Sequence, residues 1–247
     1  MGWIAQRGIL HGAQARHAAW LALCLCTAGI VGGCQGTTKA VPIDISDDEA
    51  SALDARSIWR FGSRQDHGVE VDFAQQRGSS SSSLGAGSRV MVGSQVINGP
   101  QTLHNEATVR SFHVAYNYLI APSSPVEAEA FAGVGRMELK LLAQGSAPGA
   151  QISSTLGGGI GVIGIGPRWK LREQLALEGR LTWMGRVSSG PEYEKQSIDL
   201  ALAYRPVKQM TLRAGYFWLK ATVEHDSNDS DVSVWLRGPF LGVTLNF

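Results

Sequence analysis

From His67 to Phe247 the chain consists of segments of about ten residues in which apolar and polar side chains alternate. Successive side chains of a β-strand point to opposite faces, so the alternation predicts strands with one apolar and one polar face. Strands of about 9–11 residues can cross a bilayer with their apolar side chains toward lipid. The pattern therefore predicts an all-β fold, an eight-stranded antiparallel up-and-down transmembrane β-barrel.

The eight predicted strands differ in how regular their alternation is. The fifth is the most regular, because Leu177 and Leu181 share one face while Glu178 and Arg180 share the other. The predicted strands are 67–77, 107–120, 127–141, 155–171, 175–187, 197–204, 210–223 and 233–247.

In the third predicted strand, the alternation assigns the apolar side chains to lipid and the charged ones to the lumen. The expected lipid-facing set is Phe131, Met137, Leu139 and Leu141, and the expected lumen-facing set is Arg136, Glu138 and Lys140. In the eighth strand the alternation changes phase near Pro239, which predicts a β-bulge.

The connections between these strands are alternately long and short, as in outer-membrane barrels with long extracellular loops and short periplasmic turns. The predicted long loops are 78–106, 142–154, 188–196 and 224–232. Residues 88–97 and Ile58–Phe61 could be two more strands, which would give ten. We expect eight, with 88–97 forming a hairpin within the first long loop.

The amino-terminal region has the features of an export signal. Arg7 and Arg16 precede an apolar run over 18–31, which is shorter than a membrane-spanning helix. Val31-Gly32-Gly33-Cys34 then resembles the bacterial lipobox, which implies a lipid on Cys34. The alternative is an ordinary cleaved signal, with Cys34 unmodified.

These features predict three regions: a signal peptide over 1–33, a polar periplasmic spacer over 34–66 and a barrel over 67–247. Cys34 is followed by Gln35, where an Asp would resemble the inner-membrane retention signal. The resemblance therefore implies location in the bacterial outer membrane.

The carboxyl-terminal sequence LGVTLNF resembles the assembly signal of outer-membrane proteins, in which alternating apolar residues end in Phe. The residues that carry this resemblance are Leu241, Val243, Leu245 and Phe247. Together with the strand pattern, they make residues 67–247 similar to small outer-membrane barrels of the OmpA and OmpX type. The resemblance implies contact with the barrel-assembly machinery, outer-membrane lipids and lipopolysaccharide.

Charged side chains on the polar faces are expected to meet inside the barrel. Eight strands enclose a space that side chains just fill, and buried charges need partners. We therefore expect a paired polar network, with a narrow ion path or a ligand site as alternatives. Its predicted members are Glu70, Asp72, His113, Arg136, Glu138, Arg180, Arg186, Asp199 and Arg213.

Catalytic and metal-binding signals are weak. Ser111 and His113 share a strand face and are the only candidates for a nucleophile and base, but that face points to the lumen. We expect no cofactor and no metal. The chain carries a net charge of +1, which gives no indication of a nucleic-acid partner.

The sequence therefore predicts a structural or surface-interaction barrel with its long loops as the contact surface, and it does not identify the loop partner. The alternatives are an enzyme that modifies outer-membrane lipid, of the lipid A deacylase or acyltransferase type, and a narrow pore.

Overall fold

The computed structural model describes residues 43–45, 50–92, 95–121, 124–186, 192–224 and 232–247, which form β-strands and their connections. Within these residues there is no helix with the length and apolar character needed to span a membrane. The strands are β1 (Ile43–Ile45), β2 (Ser51–Phe61), β3 (His67–Leu84), β4 (Arg89–Val92), β5 (Gln95–Asn98), β6 (Gln101–Ile120), β7 (Val126–Gly145), β8 (Gln151–Arg172), β9 (Leu175–Arg186), β10 (Glu192–Val207), β11 (Met210–Glu224) and β12 (Val232–Asn246).

Nine strands close into a barrel: β2, β3 and β6 to β12. Neighbours along the chain pair antiparallel, whereas the seam between β12 and β2 is parallel, with Phe240 opposite Ala52 and Asn246 opposite Ile58. An odd number of alternating strands requires one such parallel pair. β1 also runs parallel to β12, with Ile43 opposite Val234. The predicted barrel is confirmed, but its strand count is neither eight nor ten.

The ninth strand is β2, which lies within the region expected to be a spacer. Its outer face carries Leu53, Trp59 and Phe61, and its inner face carries the buried Arg56 and Ile58. The expected boundary at residue 67 is therefore wrong, because the barrel includes Ser51–Phe61. The acidic and small residues around this segment masked its alternation.

One end of the barrel, here the short-turn end, carries the connections 62–66, 121–125, 173–174 and 208–209, together with Phe247. The opposite end is here the loop end. β3, β6, β7 and β8 are 18 to 22 residues long and reach into the ranges 78–106 and 142–154 that were expected to be loops.

The outer surface is apolar only on the half of the barrel toward the short-turn end. The side chains that point outward from this half are mostly large and apolar, and we call them the apolar band. The band comprises the outward side chains of 53–61, 69–73, 112–120, 126–134, 163–171, 177–183, 198–204, 212–218 and 241–247. Beyond it, toward the loop end, the outer face is polar.

The inner surface has the opposite arrangement. Inside the apolar band lie charged and polar side chains, whereas inside the polar outer half lies an apolar core that includes Val109, Leu139, Tyr193, Leu219 and Leu236. Each half of the barrel therefore has one apolar face. This face points outward near the short turns and inward near the loops.

β7 crosses between the two halves without a change of register. Val134 on its outer face is 63% exposed, while Leu139 on its inner face is fully buried. The predicted lipid-facing set Phe131, Met137, Leu139 and Leu141 is therefore wrong, since all four point inward. Alternation alone cannot distinguish an apolar face toward lipid from one toward a core.

The same change in which face is apolar explains the apparent change of phase near Pro239. β12 pairs continuously with β11 through Pro239, which lies opposite Tyr216, so the predicted bulge is absent from this described pairing. Val234 and Leu236 point inward, whereas Leu241 points outward. The apparent slip in the sequence is a change in which face is apolar.

The first long connection contains the hairpin β4–β5, which is paired separately from the barrel sheet, as the sequence predicted. Ile97 on β5 is 2% exposed and packs with Leu103, Ala143 and Ile152 at the loop end. This hairpin is therefore anchored to the inner side of the wall formed by β6, β7 and β8.

Candidate functional site

Ten inward-pointing charged side chains on six strands, in and beside the band half, are here called the charged layer. Its members are Asp54, Arg56, Arg60, Glu70, Asp72, Glu129, Arg180, Lys195, Asp199 and Arg213. Five of these are basic and five acidic. Strand alternation places each of them inward, and burial away from water requires that they be paired.

Glu70 on β3 is the centre of the layer and is fully buried. One carboxylate oxygen, Oε1, contacts the Arg180 guanidinium, and the other, Oε2, accepts a hydrogen bond from Asn117 Nδ2 at 2.9 Å. Arg56 Nη1 is 3.8 Å from Oε2, and His113 Nε2 is 3.5 Å from Oε1. Four side chains from three other strands, β2, β6 and β9, thus converge on one carboxylate.

A second junction forms around Glu129 on β7. Arg56 Nη1 donates to Glu129 Oε2 at 3.1 Å, and Arg60 Nη2 donates to Oε1 at 2.6 Å. Arg56 also donates through Nε to Thr244 Oγ1 at 3.4 Å. Since both arginines come from β2, they connect the parallel seam to the opposite wall.

Three of the remaining charged side chains also have a contact. Arg213 Nη2 lies 2.7 Å from Asp54 Oδ2, and Lys195 Nζ donates to Ser111 Oγ at 3.0 Å. The Arg180 guanidinium carbon lies 3.8 Å from the centre of the Phe131 ring, which indicates a cation–π contact. The charged layer is therefore a network of side-chain contacts between strands across the barrel interior.

The structure brings together most of the predicted network. Glu70, Asp72, His113, Arg180, Asp199 and Arg213 belong to or border the charged layer, and Arg186 also points inward, at the far end of β9. Arg136 and Glu138 do not, because they lie on the outer face of β7 beyond the apolar band. They point outward because the apolar face of β7 changes from the outer side to the inner side along the strand.

Five members of the layer were not predicted: Asp54, Arg56, Arg60, Glu129 and Lys195. The first three lie on β2, which was read as spacer, and Glu129 shares a face with Phe131, which was assigned to lipid. Lys195 is in phase with Ser197 and Asp199, so extending that alternation by two residues would have found it.

The two catalytic candidates do not form a nucleophile–base pair with access to lipid. Ser111 and His113 are both buried inside the barrel, 2% and 1% exposed. Ser111 Oγ is held by Lys195, while His113 lies near Glu70 and Asp72. A lipid outside the barrel would have no route to either side chain through the wall.

Glu70, Asp72 and His113 also present ligand atoms that lie within 4.8 Å of one another. Carboxylate and imidazole groups are suitable ligands for a transition metal. Here, however, the Arg180 guanidinium contacts Glu70 and lies 3.9 Å from Asp72. A dication would therefore compete with an arginine for the same two carboxylates.

Two cavities border the charged layer, with volumes of about 20 and 30 Å³. The larger is lined by residues that include Asp72, Ser111, His113 and Lys195. Each has room for one or two water molecules. Neither is large enough for a substrate or a hydrated solute.

The other predicted positions lie elsewhere. Leu241, Val243, Leu245 and Phe247 all point outward from β12 in one row, and the Phe247 ring stacks on Trp59 with centroids 5.6 Å apart. Cys34 and the predicted signal peptide lie outside the described residues, as do 188–191 and 225–231 of the predicted loops. Lipidation of Cys34 stays a prediction.

No protein-family model, curated protein or solved structure matches this chain. Its function is therefore inferred from its own residues and their geometry.

Proposed function

We propose that this chain is an integral barrel of the bacterial outer membrane with a structural or surface-interaction role. One observation carries the proposal, namely an apolar band on the outside of the same half of the barrel that holds the charged layer inside. Water-soluble proteins bury apolar side chains and rarely expose large continuous apolar patches. A lipid environment reverses this preference, because it favours apolar groups outside.

The height of the apolar band supports the same proposal. On β6 it runs from Phe112 to Ile120. About nine residues at about 3.3 Å each, on strands tilted by roughly 35–45°, give a height of about 20–25 Å. The apolar band of known outer-membrane barrels is about 25 Å tall.

Aromatic side chains mark both margins of the band. Tyr118, Trp169 and Tyr204 lie toward the short-turn end, and Trp183 and Trp218 lie toward the loop end. Aromatic girdles at both interfaces are typical of transmembrane barrels. They support a membrane boundary at the level where the outer face becomes polar.

The interior supports a structural role over a pore or an enzyme. The small cavities beside the charged layer offer no path for a solute, and the apolar core adds a second packed layer above them. Ser111 and His113 point into this filled interior. We therefore assign neither lipid modification nor conduction to the chain.

The contact surface we propose is the loop end, which comprises 78–106, 142–154, 188–196 and 224–232. β3, β6, β7 and β8 extend beyond the band there as a wall with a polar outer face, which would stand above the membrane. Assembly into the membrane would use the barrel-assembly machinery, which would bind the exposed row that ends at Phe247.

The test begins with cell fractionation and with gel mobility before and after boiling. We expect the full-length chain in the outer-membrane fraction, extractable only with detergent, and a mobility that changes on boiling. Release by carbonate alone would disprove membrane insertion.

A second experiment addresses the role. Lipid A from cells with and without the protein is compared by mass spectrometry, and the purified barrel is tested for conductance in planar bilayers. We expect identical acyl chains and no conductance; an altered lipid or a defined current would overturn the structural assignment.

A further inference from the structure

A row of serines lies on the outer face of β3, where this strand extends beyond the apolar band. The outward members of the row are Ser79, Ser81 and Ser83. In the pairing of β3 with β6, Ser81 is the member that lies opposite a histidine, His104. Glu106 lies two residues further along β6, on the same face and opposite Ser79. A hydroxyl, an imidazole and a carboxylate therefore come together on one outer surface.

The imidazole of His104 lies between the other two groups. Its Nδ1 is 3.5 Å from Ser81 Oγ, and its Nε2 is 3.5 Å from Glu106 Oε1. With the ring proton on Nε2 and directed at Glu106, Nδ1 accepts a hydrogen bond from the Ser81 hydroxyl. A histidine base beside a serine nucleophile, oriented by a carboxylate, is the arrangement of serine hydrolases. Hydrogen bonds in such sites are often long before substrate binds.

The strand register explains why Ser81 and His104 are in contact. Leu119 N donates to Asp66 O at 2.7 Å, which makes these two residues a hydrogen-bonded pair of β3 and β6. Hydrogen-bonded and non-hydrogen-bonded pairs alternate, and the register continues without a shift, so Ser81 and His104 form a non-hydrogen-bonded pair. Side chains are closest in such pairs, and the backbone N–H of Ser81 points away from β6.

That N–H group is placed to act as an oxyanion donor. β2 pairs with β3 only as far as Arg77, so among the described strand pairings the Ser81 N–H has no partner. The backbone N–H of the nucleophilic serine is a usual donor to the oxyanion in serine hydrolases. A carbonyl group that approaches Ser81 Oγ from the β2 side would therefore meet a hydrogen-bond donor.

The position of the three side chains limits what they can act on. The side chains of His104 and Glu106 are 50% and 43% exposed. His104 is eight residues from Phe112, where the apolar band begins on β6. At about 3.3 Å per residue on strands tilted by roughly 35–45°, the site lies about 20 Å beyond the band. It is therefore open to small water-soluble molecules and remote from acyl chains that contact the band.

We propose that Ser81, His104 and Glu106 form a hydrolytic site for small water-soluble carboxylic esters. Ser81 Oγ bonds to the ester carbonyl carbon and gives its proton to His104 Nδ1. The bond between this carbon and the alkoxy oxygen then breaks, and the alcohol leaves with that proton. A water molecule attacks the acyl group and gives a proton to Nδ1. The carboxylic acid leaves as Ser81 Oγ recovers the proton. Ser81 and His104 are the catalytic residues, and Glu106 is a positioning residue.

The first test uses a biotinylated fluorophosphonate, which bonds to an activated serine with loss of fluoride. The full-length barrel, purified in detergent, is treated with this probe, and mass spectrometry locates the label within the tryptic peptide 78–89. We expect Ser81 to carry about tenfold more label than Ser79 or Ser83, because these two serines have no histidine opposite them. Equal labelling of the three serines would overturn the proposal.

The second test measures hydrolysis of p-nitrophenyl acetate. We expect Ser81→Ala and His104→Gln to lower kcat/KM about a hundredfold. Glu106→Gln should lower kcat about tenfold and leave KM unchanged, because Glu106 orients His104 and does not touch the substrate. The matched controls are Ser83→Ala and His67→Gln, which remove an outward serine and an exposed histidine from the same strand and should keep the parent rate. A parent rate in Ser81→Ala would overturn the proposal, since it would show hydrolysis without a serine nucleophile.

Both tests need only the folded barrel in detergent, and gel mobility before and after boiling confirms the fold of each variant. Their outcome is therefore separate from that of the membrane proposal. A chain that is released by carbonate but still carries the label on Ser81 disproves only membrane insertion. An inserted barrel in which Ser81 is no more reactive than Ser79 and Ser83 disproves only the hydrolytic site.

Discussion

The Arg180 guanidinium contacts the Glu70 carboxylate inside the barrel across a separation of 110 residues. The pair joins β9 to β3 from opposite parts of the wall, and Arg56 and Asn117 approach the same carboxylate from β2 and β6. The charged layer therefore braces the barrel across its interior, in addition to the hydrogen bonds between neighbouring strands.

Glu70→Ala tests this bracing. The substitution leaves Arg180 without its main acceptor, and removing one partner of a buried pair costs about 3–5 kcal/mol. We expect the free energy of unfolding in detergent to fall by that amount, measured by urea titration and gel mobility. The control is Glu138→Ala, which breaks the partly exposed 3.3 Å pair with Lys140 and should cost less than about 1 kcal/mol. Equal effects would argue against a bracing role.

Leu200→Arg tests the apolar band. Leu200 is 47% exposed at mid-band on β10, so the charge would face lipid and should cost about 2–4 kcal/mol. Thr155→Arg on the outer face of β8, beyond the band, should change stability by less than about 0.5 kcal/mol. Unfolding in lipid vesicles measures both. Equal changes in stability for the two variants would contradict a band that faces lipid.

Ala201→Arg addresses the inner face next to Leu200. Ala201 is 4% exposed and lines one of the two small cavities. An arginine there must displace packed side chains and add a cation beside Arg180 and Arg213. We expect loss of the folded gel species in detergent as well as in vesicles, whereas Leu200→Arg should matter less in small detergent micelles.

Ile97→Asp tests how the hairpin β4–β5 is attached. Ile97 packs against Leu103, Ala143 and Ile152, so a buried carboxylate should release the hairpin while the barrel stays folded. Limited proteolysis should then cleave within 85–100 at a faster rate. Val96→Asp is the matched control, because Val96 is 43% exposed on the same strand. Unchanged proteolysis of Ile97→Asp would contradict the anchor.

Phe247→Ala separates assembly from stability. The ring stacks on Trp59, whereas the backbone of Phe247 donates to Ile58 O at 2.9 Å and accepts from Arg60 N at 3.0 Å. The substitution keeps these backbone bonds and should cost about 0.5–1.5 kcal/mol in vitro. If Phe247 is also an assembly signal, the yield in the outer membrane should fall further than the in vitro loss explains. The yield of the variant in the outer membrane is compared with its refolding yield from urea in vitro.

The sequence predicted best those strand segments that lie within one half of the barrel. The part of β10 from Ile198 to Tyr204 lies in the apolar band, so one rule of alternation describes it. β7 and β12 cross from the half with an apolar outer face to the half with an apolar core, and the apolar face changes sides near Arg136 and Pro239 while the strand continues unchanged. The period of the pattern predicts the strand, but only the surroundings decide which face is inside.

The charged layer could be predicted in part for the same reason. Glu70, His113 and Arg180 alternate with large apolar residues that face outward, so their inward direction was readable. Arg56 and Glu129 were missed because their strands lack that contrast, and their contact links residues 73 positions apart. The pairing itself depends on barrel closure, which local sequence does not encode.

The parallel seam between β2 and β12 has a consequence for how the protein can be used as a fusion partner. Ile43 lies beside the loop end of β12, whereas Phe247 lies at the short-turn end. In the proposed outer-membrane barrel, reporters placed directly before β1 and after Phe247 would face different compartments, so one impermeant label or one added protease would reach only one of them. A barrel with an even number of strands would expose both reporters to the same compartment. In that orientation, the odd strand number would make the start of β1 and Phe247 independent probes of the two sides of the membrane.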